Sequence, residues 1–206
     1  LFLYILKLKW RLNMAHKYSK EFFQKPTIQL AQTLLGCLLV KETTDGLTSG
    51  YIVETEAYMG PSDRAAHSFN NRRTKRTEIM FSSPGHIYTY VMHTHCLVNV
   101  VSNDVDKPEA VLIRALEPVD GIELMKKRRG IDDLKKLTNG PGKLTKAMSI
   151  TMEDYGQTFY DSSLYIAEGF YPSAISTGTR IGIHNSGEAK DYPWRFWITD
   201  NPYVSK

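Results

Sequence analysis

Only two of the 206 residues are cysteine, Cys37 and Cys96. Two isolated thiols exclude a zinc ribbon, a CxxC redox pair and a disulfide scaffold, and they fit a reducing compartment, the cytoplasm. No apolar run approaches the roughly 20 residues of a membrane-spanning helix. Internal repeats, heptads and low-complexity tracts are missing as well. So are the G-x-S-x-G elbow of serine hydrolases, the Walker A loop and the H-x-E…P-C-x-x-C zinc signature of deaminases. NGPGK at 139–143 lacks phosphate-loop spacing, although amides at a helix start there could meet a backbone phosphate. His93, His95 and Cys96 lie close together without a compact fourth ligand, so neither a metal nor another cofactor is expected.

The chain is 42% hydrophobic, 23% charged and 11% aromatic, the balance of a folded globular protein rather than a disordered one. Its length suits one domain. The first thirteen residues, LFLYILKLKWRLN, are apolar and basic and precede Met14. They are expected to be an upstream extension or alternative-start leader, leaving a single domain over 14–206. Net charge is only +4, but it is unevenly placed. Residues 62–77 carry Arg64, Arg72, Arg73, Lys75 and Arg76 against Asp63, and residues 123–146 carry eight cations against three carboxylates. Two basic segments on an otherwise acidic chain point to a surface that tracks phosphates, with a solvated helix face the alternative for the second.

The hydropathy pattern predicts a short helix at 19–24 and a second through IQLAQTLL, stopped by Gly36. A hairpin follows, with strands at 37–41 and 51–58 about a TTDG turn. Further strands are expected at 87–92, 98–102 and 110–116. An amphipathic helix is read at 120–129 and another helix at 143–148 after Asn-Gly-Pro-Gly. Late strands are read at 164–168, 180–184 and 195–199. Strands in hairpin-like runs predict an α+β domain with a mixed, mainly antiparallel, curved sheet flanked by helices.

Two stretches could carry chemistry. In YIVETEAYMGPSDRAAHS (51–68) the strand period places Ile52, Glu54, Glu56 and Tyr58 on one face, with a Gly-Pro turn and a histidine beyond; solvent-facing glutamates are the plainer alternative. In GHIYTYVMHTH (85–95), Tyr88, Tyr90 and Met92 share a face suited either to base stacking or to ordinary core packing.

These stretches resemble the signature of the 3-methyladenine (alkyladenine, methylpurine) DNA glycosylase family in its mammalian-type, single-domain branch. The resemblance rests on VETEAYMGPSDRAAHS, MFSSPGHIYTY, VNVVS, AVLIRALEP, NGPGKLTKA, RIGIHNSGE and PWRFW, and it covers about residues 20–205. It implies a monofunctional enzyme that flips alkylated or deaminated purines out of double-stranded DNA and hydrolyses the N-glycosidic bond without a cofactor. Such an enzyme is expected to act as a monomer on the DNA of a bacterial nucleoid, without a membrane. By position in the motifs, Glu56 is the carboxylate that activates water and Arg114 helps to hold that water. Tyr58, His67 and Tyr90 form the base sandwich, and Asn99 crowds the 2-amino group of guanine. One departure stands out. The family places Tyr-Gly shortly after the second tyrosine, where this chain reads Val-Met-His-Thr-His-Cys, so Met92 or His93 takes the wedge position. Arg72, Arg73, Lys75, Arg76 and Lys143 are candidates for phosphate contact.

Two other classes compete. A non-catalytic nucleic-acid-binding module of the same fold would have no use for a buried carboxylate near phosphates. A bifunctional glycosylase-lyase needs an amine nucleophile, and no lysine falls in 51–68.

Overall fold

The computed structural model describes residues 16–205, so the expected leader at 1–13 lies outside the described residues. Eight strands form one sheet: β1 (Leu38–Thr43), β2 (Gly46–Tyr58), β3 (Ile87–Met92), β4 (His95–Ser102), β5 (Glu109–Asp120), β6 (Leu164–Ala167), β7 (Ile175–Gly178) and β8 (Arg195–Ile198). The order is β3-β4-β5-β2-β1-β6, and β8 joins β2 to β7. Every strand pair among the described residues is antiparallel, so the α+β expectation holds and the parallel element that "mixed" allowed for does not appear. β2 organises the sheet. One edge pairs with β5 along most of its length, and the other is shared by β1 and then by β8 at Glu54 to Glu56.

Three α-helices cover one face: α1 (Thr27–Thr33), α2 (Ile122–Arg129) and α3 (Pro141–Met148). α1 forms because Leu30, Ala31 and Leu34 recur at helical spacing and bury completely. α3 buries Leu144, Ala147 and Met148 in the same manner. α2 differs from the amphipathic helix expected at 120–129. Asp120 still belongs to β5, Gly121 turns the chain at φ +71°, and only Met125 on the helix is fully buried. Its arginines tie down neighbours instead: Arg128 donates to the Ala147 carbonyl (3.1 Å) and Arg129 to that of Leu137 (3.1 Å).

The period-two alternation divides the sheet into two chemically distinct faces. Ile87, Val98, Val100, Val111 and Ile113 join the helices in the main core. Tyr88, Tyr90, Leu97 and Leu112 form a second, smaller cluster on the opposite face, with Met80 against them. One expectation about β2 fails here. A bulge between Ile52 and Glu54 shifts the alternation, so Ile52 packs in the main core beside Val53 and Ala57 rather than on the glutamate face. The strand read at 180–184 is also absent. Residues 175–178 pair instead, and 180–184 run as irregular chain in which Gly182 takes φ +81°. No helix among the described residues is long and apolar enough to cross a membrane.

Gly36 ends the α1 segment at φ +85°, and an added Cβ would lie 2.1 Å from the Phe170 carbonyl oxygen. Gly36→Ala should therefore destabilise the protein by about 2 kcal/mol or more, from left-handed strain plus forced movement of residue 170. Urea denaturation followed by far-UV circular dichroism measures it.

Candidate active site

The smaller cluster floors a pocket of about 190 Å³, below the roughly 300 Å³ at which drug-sized sites begin and suited to a small flat group. β3 supplies Tyr88, Tyr90 and Met92, β4 supplies Leu97 and Asn99, and β5 supplies Leu112 and Arg114. Tyr58 closes the end of β2, His67 enters from the loop after it, and Ile181 to Ile183 form the facing wall. The structure thus gathers Tyr58, His67, Tyr90, Met92, Asn99 and Arg114 around one cavity.

Glu56 is fully buried, immediately behind the pocket wall. Its Oε2 accepts from the Tyr58 hydroxyl (2.8 Å). Its Oε1 accepts from the Ile181 amide (2.7 Å) and faces Arg114 Nη1 at 3.3 Å. Tyr58, Arg114 and Ile181 all line the cavity, so every partner of this carboxylate is a wall residue. A carboxylate offers about four lone-pair sites. Tyr58 and the Ile181 amide fill one on each oxygen, and Arg114 adds an ion-pair contact at Oε1. Burial raises Glu56's proton affinity above the ordinary carboxylate range, opposed by Arg114, the Ile181 amide and Tyr58. Burial, and then the charge of Glu56, pushes the Tyr58 phenol far up, so that it stays a donor.

Glu54, two residues earlier, is also fully buried, which settles the question of solvent-facing glutamates. Burial would raise its proton affinity, but Arg114, Ser205 and Arg195 together hold it below the usual range. Arg114 Nε reaches its Oε1 at 2.9 Å, so one guanidinium bridges two carboxylates of the same strand.

Around the cavity, His67 Nδ1 lies 2.7 Å from the Tyr88 hydroxyl, and its ring stands at 83° to that of Tyr90 with centroids 4.5 Å apart. Burial, then the charges of Arg76 and Arg72, lowers the imidazole pKa to about 4. His67 is therefore uncharged at neutral pH. Asn99 donates its side-chain amide to the Tyr88 carbonyl (3.0 Å), which fixes its orientation at the wall.

Met92 and His93 sit at the tip of the β3-β4 hairpin. Met92 is 48% exposed at the pocket mouth, whereas His93 occupies the turn at φ +55° and is not part of the pocket wall. Arg72, Lys75 and Arg76 are exposed outside the cavity. Arg73 is exposed too, but it is committed to Glu78 (2.6 Å) and Asp106 (3.5 Å) and lies over the Phe81 ring. Lys143 donates to Asn139 Oδ1 (2.9 Å) at the surface. Among the described residues, no group of three or more His, Cys, Asp and Glu side chains could hold a metal ion.

Sequence reading missed the residues that hold the wall in place. Arg180 and Asp63 form a fully buried bidentate pair at 2.5 and 2.8 Å. Arg180 also donates to the Ala57 carbonyl (2.9 Å) and lies over the rings of Tyr58 and Trp194. This pair pins the 180–183 segment to the turn after β2, and so places the Ile181 amide on Glu56. A main-chain donor has no residue-type signal. Arg180, in contrast, lies within the RIGIHNSGE motif, where the alternation of its neighbours suggests a strand instead.

A family model described as Methylpurine-DNA glycosylase matches residues 21–202. Three bacterial relatives, each named "Putative 3-methyladenine DNA glycosylase", are similar over nearly their whole length. The Bacillus licheniformis protein is 64% identical over 196 residues, covering 95% of this chain and 100% of that one. The Bacillus subtilis protein is 65% identical over 185 residues (90% and 94%). The Listeria monocytogenes protein is 50% identical over 190 residues (91% of each chain).

Replacing Asp63 by Ala would leave the Arg180 guanidinium buried without its counter-ion. The expected loss is about 3–5 kcal/mol of stability, read as a lower urea midpoint.

Proposed function

The chain belongs to the methylpurine-DNA glycosylase family, and we propose that it removes alkylated or deaminated purines from duplex DNA by hydrolysis, opening base excision repair. One observation carries this reading above the rest: a carboxylate buried against an aromatic pocket and held by three residues that line it.

In this mechanism the damaged nucleotide leaves the stack and its base enters between Tyr58, His67 and Tyr90. A cationic alkylpurine is drawn to the faces of these rings. An uncharged His67 adds no repulsion. Asn99, fixed by its bond to Tyr88, crowds the 2-amino position of guanine. The bond between C1′ and the base nitrogen breaks with its electron pair going to the base, and C1′ acquires oxocarbenium character. Glu56 takes a proton from water as the water oxygen bonds to C1′, and the nearby carboxylate stabilises the developing positive charge. The products are an abasic site and the free base: a cationic alkylpurine leaves neutral, whereas a deaminated purine leaves as an anion and takes up a proton equivalent to the one Glu56 received from water. Arg114 helps to hold the water. No lysine lines the pocket among the described residues, which favours water over an amine as the nucleophile.

The hairpin tip supplies the wedge. Met92, apolar and at the pocket mouth, suits the gap left by the flipped base better than His93, which caps the turn. Arg72, Lys75 and Arg76 meet phosphates, and Lys143 is placed to do so from the α3 end. The protein acts as a monomer on this reading.

Glu56→Gln should bind a duplex carrying hypoxanthine or ethenoadenine as wild type does, yet lose about 100-fold or more in single-turnover excision. Counting alkali-labile sites in the presence of EDTA measures this, and turnover retained by the variant would remove Glu56 from the mechanism. Because the working form is the carboxylate and burial raises its proton affinity, wild-type excision should fall as pH drops through a midpoint above the ordinary glutamate value. No base release from any lesion by wild type would favour the non-catalytic binding module.

Substituting Arg72, Lys75 and Arg76 by Ser should weaken binding to damaged and undamaged duplexes alike. The slope of log K against log salt should fall by roughly 0.9 for every phosphate that the variant no longer neutralises. Arg73→Ser should change it least, since that side chain is already paired. Filter-binding titrations at several salt concentrations decide both.

A further inference from the structure

Behind the pocket lies a buried network that the mechanism above does not use. Glu54 accepts four hydrogen bonds: from Arg114 Nε (2.9 Å), Arg195 Nε (2.7 Å) and the Ser205 hydroxyl (2.8 Å) at Oε1, and from the Ser205 amide (2.7 Å) at Oε2. Three of them converge on Oε1 and one on Oε2. Ser205 Oγ, while donating to Glu54, also accepts from Arg114 Nη2 at 3.3 Å. Arg195 Nη2 in turn reaches the Ser205 carbonyl at 3.3 Å. The Nε and Nη2 side of Arg114 is therefore gripped by Glu54 and Ser205, and Nη1 is left to face Glu56.

We propose that Arg195 and Ser205 are positioning residues for excision: by holding Glu54 they turn Arg114 toward Glu56 and keep its charge available there. The proposal rests on the reading of Glu56 as the base. The groups form a series, Arg195⁺, Glu54⁻, Arg114⁺, Glu56⁻, in which each carboxylate has a guanidinium to match. Without Arg195, one guanidinium would serve two carboxylates on the same strand. Glu54 would claim more of Arg114, and the repulsion between Glu54 and Glu56 would favour a proton on the latter. The effect at Glu56 is electrostatic, because Arg195 is its cross-strand partner in β8 and does not line the pocket. The other titratable or charged groups around Glu56 are Tyr58 on its own strand, Tyr90 from β3, and Arg180 over the Tyr58 ring. The substitutions leave all three in place. Direction and cause agree with the surroundings of Glu54, which stays ionised in spite of complete burial.

The test compares Arg195→Met, Arg195→Lys and Ser205→Ala by single-turnover excision from a hypoxanthine duplex across pH. Affinity for that duplex and thermal melting are measured alongside. Arg195→Met should move the acid limb up by about one pH unit. That amounts to about a tenfold loss below both midpoints, and rates within about twofold of wild type above them. Arg195→Lys, which keeps the charge, should bring the limb back toward wild type. Ser205→Ala, the mildest change and the informative one if Arg195→Met does not fold, should lower the plateau rate severalfold with unchanged affinity, since Arg114 loses its grip. A loss equal at all pH values in Arg195→Met, or no change in any variant, would overturn the proposal. Carbon-13 carboxyl NMR of Glu56, assigned through Glu56→Gln, reads the coupling without catalysis. A Glu56 signal titrating at the same pH with and without Arg195 overturns this proposal and leaves the base assignment standing, whereas excision by Glu56→Gln overturns the base assignment and this proposal with it.

Discussion

Charge enclosed by a β-sheet has to be balanced where it lies, because removing a carboxylate from water costs several kcal/mol unless partners replace the lost hydration. β2 carries two such carboxylates on one face, Glu54 and Glu56, both fully buried. The pairing pattern follows that need. β5 lies along one side of β2 and delivers Arg114, while β8 lies along the other and delivers Arg195. The bulge between Ile52 and Glu54 lets Ile52 join Val53 and Ala57 in the main core, while Glu54 and Glu56 meet Arg114 on the other face. The two carboxylates nevertheless have different surroundings. Glu54 accepts four hydrogen bonds and is held below the usual carboxylate range, whereas Glu56 accepts two beside its contact with Arg114 and is raised above it. On the proposed mechanism, environments that diverge in this way, two residues apart, separate a structural carboxylate from a chemical one.

A second buried pair does the corresponding work for the pocket wall. Asp63 accepts from the Met59 and Ala65 amides at 3.0 Å each, and both its oxygens accept from Arg180. One aspartate thus shapes the turn that leads to His67 and anchors the segment that brings the Ile181 amide to Glu56. The wall is irregular chain, yet its main-chain donor is as firmly placed as one in a strand. Precision at the site comes from ion pairs set within and beside the sheet rather than from the loop itself.

Legibility in the sequence followed locality. The bounds of β3 agree with the alternation of 87–92 to the residue, because a Gly and a polar turn bracket it. β4 begins at His95, three residues before its β-branched run, since cross-strand pairing with β3 extends through residues that have no strand preference of their own. Residues 180–184 look like a strand because Ile-Gly-Ile alternates, but Gly182 leaves the extended region and Arg180 is drawn inward by Asp63, 117 positions away. The pocket residues were legible as a set through family resemblance, and the alternation of 88, 90 and 92 placed three aromatic or apolar side chains together without it. Partnerships across long separations left no local trace: Arg114 with Glu54, and Ser205 with Glu54 at a separation of 151. The arginine within AVLIRALEP was visible, but which charge it answers was not.

The β3-β4 hairpin is held from one side, immediately beside its turn. Gly142 of α3 approaches His95 so closely that a Cβ there would lie 2.7 Å from the histidine's own Cβ, and the Thr145 hydroxyl donates to the Cys96 carbonyl (2.6 Å). The same helix start contributes Pro141 to the pocket rim. The two-residue turn is consequently backed by packed chain rather than standing free. On the proposed reading of this tip as the wedge, such backing would leave the bending to the duplex and cost the protein little conformational entropy.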